Sequence, residues 1–239
     1  MTIRGMAHRG YPRRYPENTL SSFQAACELS YSHLELDVQL SKDGIPVVIH
    51  DTSVDRMTDG KGQVKDFTLA ELKELTIGEG ERIPTLDEAL DLLKGRLIVD
   101  IELKQMGPLY PGLEEAVLDA VKRKQMQEQV FLTSFDHYSL TRIRELDDKI
   151  GIGMINSGAS PAFFPFAKEI GCGYMSIHYP YLNDEFIRRC EQEQIGLIAW
   201  TVDSEQDMRQ MLRYPSLLIC TNELDRWASV SGQRNQSIS

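Results

Sequence analysis

The chain has 239 residues, 41% of them hydrophobic and 26% charged. These are globular proportions, which exclude a disordered or fibrous chain, and the length suits one large domain. A formal charge of −10 excludes a nucleic-acid-coating surface or stable anchoring on anionic lipid, whose polyanions the field repels, while a small anionic ligand held by local cations stays possible.

In chain order, a first strand is expected over residues 3–8, ending on His8-Arg9-Gly10. A helix follows over 20–29, where Leu20, Phe23 and Cys27 keep helical spacing and Asn18 is the expected N-cap. The strand 33–40 sets Leu34, Leu36, Val38 and Leu40 on one face and Glu35, Asp37 and Gln39 on the other. The alternation then breaks: a turn at Lys42-Asp43-Gly44, a short extra strand over 46–50, a glycine-rich stretch from Thr58 to Gly62 and a helix over 68–75. Residues 51–82 are expected to form a small insertion on one face of the fold. Thr85 is the expected cap of a helix over 86–93. The strand 97–104 repeats the earlier design, with Leu97, Val99, Ile101 and Leu103 opposite Asp100, Glu102 and Lys104.

Strands are expected next over 130–135, 150–155, 173–178, 196–202 and 217–221, with helices over 114–124, 138–146, 162–170, 184–193 and 205–212 and a short one after Asn222. Eight strand–helix units in roughly 250 residues are the content of a TIM barrel, more than a doubly wound open sheet normally has. The expected fold is therefore α/β, a TIM (β/α)8 barrel forming a single domain over 1–239 with the small insertion at about 51–82. Cys27, Cys172, Cys190 and Cys220 form no CxxC pair and read as free thiols in a reducing compartment. The N-terminal residues lack the apolar run of a signal peptide, and no stretch approaches the roughly 18–20 residues of a membrane span. A soluble, cytoplasmic protein is expected.

Two strands with one charged face are ordinary in an antiparallel sheet, where that face meets water. Inside a closed barrel the charged face points inward. Carboxylates gathered there repel one another and lose hydration, and they stay ionised only beside a cation. A hard divalent metal with oxygen ligands, Mg2+ or Ca2+, would supply it. His8 and His50 each end a strand, where barrel enzymes place catalytic groups, and such a pair suits acid–base work. His33, His137 and His178 read as structural. Arg9 and Lys104 lie beside these groups, either to grip a phosphate or to pair with Glu35 or Glu102. There is no Walker loop and no GxGxxG fingerprint after a strand, so nucleotide binding has no support.

The ordered set His8-Arg9-Gly10, Pro16-Glu17-Asn18-Thr19, Glu35-Leu36-Asp37-Val38 and His50-Asp51 resembles the opening of the glycerophosphodiester phosphodiesterases. The match continues through Asp55-Arg56-Met57-Thr58-Asp59-Gly60, Ile83-Pro84-Thr85-Leu86, Ile101-Glu102-Leu103-Lys104, Ser134-Phe135 and Trp200-Thr201-Val202, and so covers nearly the whole chain. The resemblance implies a TIM barrel with a small inserted subdomain that hydrolyses glycerophosphodiesters to glycerol 3-phosphate and an alcohol. It implies Glu35, Asp37 and Glu102 as ligands of one divalent metal ion, Ca2+ or Mg2+, and His8 and His50 as the acid–base pair. Arg9 would contact phosphate and Lys104 would face the phosphate or the metal-bound oxygens. Trp200 would pack on the glycerol carbons, and Glu17 and Asn18 would organise the loop after His8. Two departures stand out: Thr221-Asn222-Glu223-Leu224 where many members read Thr-Asp-x-Pro, and Met57 where threonine is common.

Other readings compete. A barrel phosphodiesterase related to phosphatidylinositol-specific phospholipase C or sphingomyelinase D would act on membrane lipid, against which the short insertion and the acidic charge speak. A metal-dependent lyase on the same fold would use the carboxylates without needing two histidines. A non-catalytic binding module would not need to keep His8, His50, Glu35, Asp37 and Glu102 together.

Overall fold

The computed structural model describes residues 2–232, so residue 1 and residues 233–239 at the ends of the expected domain lie outside the described residues. Its strands are β1 (Ile3–His8), β2 (Tyr31–Leu40), β3 (Pro46–Val48), β4 (Ile98–Leu103), β5 (Val130–Ser134), β6 (Gly151–Asn156), β7 (Tyr174–His178), β8 (Gly196–Trp200) and β9 (Leu218–Thr221). The helices are α1 (Leu20–Glu28), α2 (Leu69–Glu74), α3 (Leu86–Leu93), α4 (Leu113–Lys124), α5 (His137–Leu146), α6 (Phe163–Glu169), α7 (Asp184–Gln192), α8 (Glu205–Met211) and α9 (Leu224–Val230). β1, β2 and β4 to β9 pair in parallel in that order, and β1 closes on β9, which makes the expected eight-stranded barrel. β3 lies outside the ring, antiparallel to β2.

The period-2 alternation along β2 and β4 decides which side chains meet which layer. Leu34, Leu36, Val38, Val99, Ile101 and Leu103 are buried in the main core, the cluster shared with the helices. Each such side chain contributes roughly 1.5–3 kcal/mol on burial. The opposite faces of the same strands enter the barrel. Lower in the ring, Met6, Phe131, Ile198, Leu218 and Cys220 form a separate apolar cluster, where Tyr174 stacks on Phe131 with ring centroids 4.1 Å apart. Gly153 admits this packing, since a Cβ there would lie 2.9 Å from side-chain atoms of both Thr133 and Tyr174. The barrel interior thus holds both this apolar cluster and the buried carboxylates Glu35, Asp37 and Asp100, with Asp100 in register with Phe131.

Between β3 and α3 the chain leaves the alternation. Val47, Ile49, Val54, Val64, Leu72, Ile77 and Ile83 bury one another in a small cluster of their own. Thr68 caps α2 and Thr85 caps α3, each through a reciprocal capping box, with Glu71 and Glu88 respectively. We read residues 51–82 as one small insertion carried by the barrel. One expectation is corrected at α1, where Thr19 and not Asn18 is the N-cap. Asn18 has a left-handed backbone (φ +58°) that turns its side chain to other work. The four cysteines are free, and among the described residues no helix is long and apolar enough to cross a membrane.

Candidate active site

Parallel register brings the charged residues together. His8 on β1 is aligned with Glu35 on β2, and Asp37 on β2 with Glu102 on β4. One ligand oxygen from each of Glu35, Asp37 and Glu102 lies within 4.8 Å of the others. Glu35 Oε1 and Asp37 Oδ1 are buried and accept no hydrogen bond. Burial, then the neighbouring Asp37 and Glu102, hold the Glu35 carboxyl well above the usual range. Burial and Asp37 push Glu102 up to about 7, against the pull of Lys104. For Asp37, burial is outweighed by Lys104 and Arg9, and its carboxyl is lowered. Clustered oxygens of like charge, two of them accepting no hydrogen bond, fit a hard divalent cation.

Two cations border the cluster without satisfying it. Lys104 Nζ is 2.7 Å from Glu102 Oε1 and 3.4 Å from Asp37 Oδ1. Arg9 sets Nε 3.2 Å from Asp37 Oδ2 and Nη1 2.9 Å from Glu17 Oε1. Its backbone N–H also donates to Glu35 Oε2 at 3.0 Å. The ion-pair alternative for Lys104 is therefore realised with Glu102, while the side-chain partners of Arg9 are Asp37 and Glu17. Asn18 Nδ2 donates to Asp37 Oδ2 at 2.8 Å, so this residue orients a carboxylate rather than capping a helix.

The loop after β1 is shaped for these contacts. Arg9 and Asn18 both have φ +58°, and Asn18 N–H donates to the Arg9 carbonyl at 3.0 Å. Left-handed backbone is costly for non-glycine residues and persists where surrounding bonds over-determine it. Gly10, at φ +83°, allows α1 to approach, because a Cβ would lie 2.3 Å from Ser22 Oγ.

His8 and His50 line the same cavity, of about 200 Å³, together with Arg9, Glu35, Glu102 and Lys104. Burial, reinforced by Arg9, lowers the His8 imidazole to about 4. Its Nδ1 is 2.8 Å from Asn222 Oδ1, and its Nε2 is 3.9 Å from Glu35 Oε2. His50 is also lowered, first by burial and then by Lys104 and Arg9 against the pull of Asp37. Its Nδ1 is 2.7 Å from Asp51 Oδ1, which fixes Nδ1 as the donor to a carboxylate. Arg56, from residues 51–82, forks onto Asp51 (Nε–Oδ2 2.6 Å) and reaches Glu17 Oε1 (2.7 Å). It ties the loop after β1 to the loop after β3.

The opposite wall is apolar. Trp200 and Phe135 line the cavity edge to face, with centroids 5.7 Å apart, and His178 packs on Trp200 at 5.1 Å. His33 is hydrogen-bonded to Ser32 Oγ and His137 to the Ile155 carbonyl. Asn222, Asp51, Arg56 and Phe135 touch this site or its histidines, although the sequence motifs that contain them gave them no role of their own. Asn222 and Phe135 directly follow a strand and Asp51 directly follows His50, which lies two residues beyond the end of β3 rather than within the expected strand; those positions are the signal that would have found them.

A model of the glycerophosphoryl diester phosphodiesterase family matches residues 8–226. A glycerophosphodiester phosphodiesterase of Caldanaerobacter subterraneus subsp. tengcongensis is 40% identical over 218 residues, 87% of this chain and 89% of the relative. One from Bacillus altitudinis is 34% identical over 220 residues, 86% of this chain and 89% of the relative. Among solved structures, an Oleispira antarctica phosphodiesterase in complex with the product sn-glycerol-3-phosphate superposes with a TM-score of 0.90, at 27% identity and with 96% of each chain covered.

Proposed function

The chain belongs to the glycerophosphoryl diester phosphodiesterase family, and on that premise we propose that it hydrolyses glycerophosphodiesters such as glycerophosphocholine or glycerophosphoethanolamine to glycerol 3-phosphate and an alcohol. The observation that carries this reading is the meeting, in one cavity, of His8 and His50 with the carboxylates of β2 and β4. Relatives named for this activity and a structural neighbour holding sn-glycerol-3-phosphate support it.

Glu35, Asp37 and Glu102 would hold one divalent ion, Ca2+ or Mg2+, as hard oxygen ligands. Such an ion, when bound, offsets the carboxylate charge and stabilises negative charge on the phosphoryl oxygens. Arg9 keeps Nε and Nη1 on Asp37 and Glu17, and the rest of its fork is left for a phosphate oxygen. Lys104 adds a compact positive charge at the same end of the cavity. Trp200, with Phe135 against it, gives the glycerol carbons an apolar surface. One of His8 and His50 takes the proton of the attacking oxygen and the other returns one to the leaving alcohol. Glu17 and Asn18 hold Arg9 and Asp37 in place.

The phosphorus signal of glycerophosphocholine tests this directly. With the protein and Ca2+ or Mg2+, the phosphodiester resonance is expected to give way to the phosphomonoester resonance of glycerol 3-phosphate. A diester signal that persists with both substrates and both ions would contradict the proposal. A cyclic phosphate that appears transiently, and is missing from the 2-deoxy substrate, would make the glycerol hydroxyl the attacker.

A further inference from the structure

Behind His8, on the side away from the carboxylates, stand two residues to which the sequence assigned no role. Asn222 follows β9 and Asp203 lies in the loop after β8. Asn222 Oδ1 is 2.8 Å from His8 Nδ1, and Asn222 Nδ2 donates to Asp203 Oδ2 at 2.8 Å. The other Asp203 oxygen, Oδ1, accepts from the Asn222 backbone N–H at 2.8 Å and from Thr221 Oγ1 at 2.9 Å.

This arrangement fixes a proton. A carboxylate only accepts, so the Asn222 amide must present Nδ2 to Asp203, because the flipped amide would set two acceptors face to face. Its Oδ1 is then turned to His8, and an amide oxygen also only accepts. The hydrogen between them must therefore belong to His8 Nδ1. The neutral ring carries its proton there and leaves Nε2, on the carboxylate side, with a free lone pair. The group that engages one ring nitrogen determines the chemistry available at the other.

We propose that Asp203 and Asn222 are positioning residues that hold His8 as its Nδ1–H tautomer and so make Nε2 the atom that takes the proton from the attacking oxygen. In that step the O–H bond of the attacker breaks and an N–H bond forms at Nε2. The freed electron pair forms the new bond from that oxygen to phosphorus as the bond from phosphorus to the alcohol oxygen breaks, the departing alcohol takes its proton from His50, and Nδ1–H stays hydrogen-bonded to Asn222. The inference rests on the reading of His8 as a proton-transfer residue.

The test is the Asp203→Asn substitution and its partner swap, Asp203→Asn with Asn222→Asp. In the single variant the oxygen at position 203 stays with the Asn222 backbone N–H, and the nitrogen faces the Asn222 amide. That amide turns over, presents Nδ2 to His8 and moves the ring proton to Nε2. Turnover is expected to fall by about 10²–10⁴-fold in kcat, the share that positioned acid–base groups contribute, with KM little changed. In the double variant the carboxylate at 222 accepts from His8 and from the amide at 203, and most of the rate should return. Long-range proton–nitrogen correlation spectra of His8 in the full chain give a readout independent of activity. They should show Nδ1–H in the parent and the double variant and Nε2–H in the single one. An Nε2–H ring in the parent, or a single variant with the parent's tautomer and kcat, would overturn the proposal. If the single variant does not fold, the parent spectrum and the double variant's rate decide. Full activity after His8→Ala in a protein with the Nδ1–H tautomer would sink the proton-transfer reading itself, not the tautomer.

Discussion

His8→Ala is expected to lower turnover of glycerophosphocholine by about 10²–10⁴-fold while the protein keeps its melting temperature to within a few degrees. The size follows from what the ring does. It is the imidazole aligned with Glu35 at the end of β1, and its Nδ1 is engaged by Asn222. Alanine leaves the strand backbone intact. The side chain faces the cavity and belongs to none of the apolar core clusters, so little apolar packing is lost. His50→Ala should show a similar loss for a parallel reason, since Asp51 orients its ring and Arg56 holds Asp51. The two effects should not multiply in the double variant, because groups that act in one proton-transfer cycle are far from additive. Steady-state rates with circular dichroism on the same samples check this. Near-parental kcat in either single variant removes that histidine from the mechanism.

The second large effect concerns the carboxylates, and its sign depends on whether an ion is bound. Without a cation, Glu35 and Glu102 are raised by burial and by Asp37, so the cluster opposes its own ionisation. With Ca2+ or Mg2+ at about a hundredfold its Kd, binding at the proposed site should stabilise the fold by roughly 2.7 kcal/mol. In a domain of this size that raises the Tm by about 5–10 °C. Glu102→Gln keeps the shape and removes one charge. In the presence of chelator it should melt no lower than the parent, because repulsion is relieved and Lys104 keeps Asp37 as a partner. It should, however, lose most of the rise with added metal, and turnover with it. Thermal melts with chelator and with each ion check both halves. An unchanged metal-induced shift in Glu102→Gln would remove Glu102 from the ligand set.

The parts of this site that could be read from the sequence are those written in short-range periodicity. Alternation along β2 and β4 placed Glu35, Asp37 and Glu102 on inward faces, and parallel pairing aligned Asp37 with Glu102. His8 and His50 were visible because each sits where an apolar run stops. Asn18 shows how a local rule fails. Asparagine is a favoured helix cap, yet adjacent Thr19 supplies the cap and leaves Asn18 in left-handed backbone, donating to Asp37. Asn222 could be noticed only as a departure from a motif, since its partner His8 lies 214 positions away. Closure of the barrel between β9 and β1 creates that contact, and no local spacing encodes it. The role of Arg56, likewise, depends on how residues 51–82 lie against the loop after β1.

The central claim is that His8, His50 and the three carboxylates form one metal-dependent centre for glycerophosphodiester hydrolysis. The most direct measurement is enzyme-coupled detection of glycerol 3-phosphate released from glycerophosphocholine and glycerophosphoethanolamine, with added Ca2+ or Mg2+ and again with excess chelator. Release with at least one ion, abolished by chelator and restored by adding the ion back, is the predicted result. No release from either substrate with either ion, or release that chelator leaves unchanged, would contradict it.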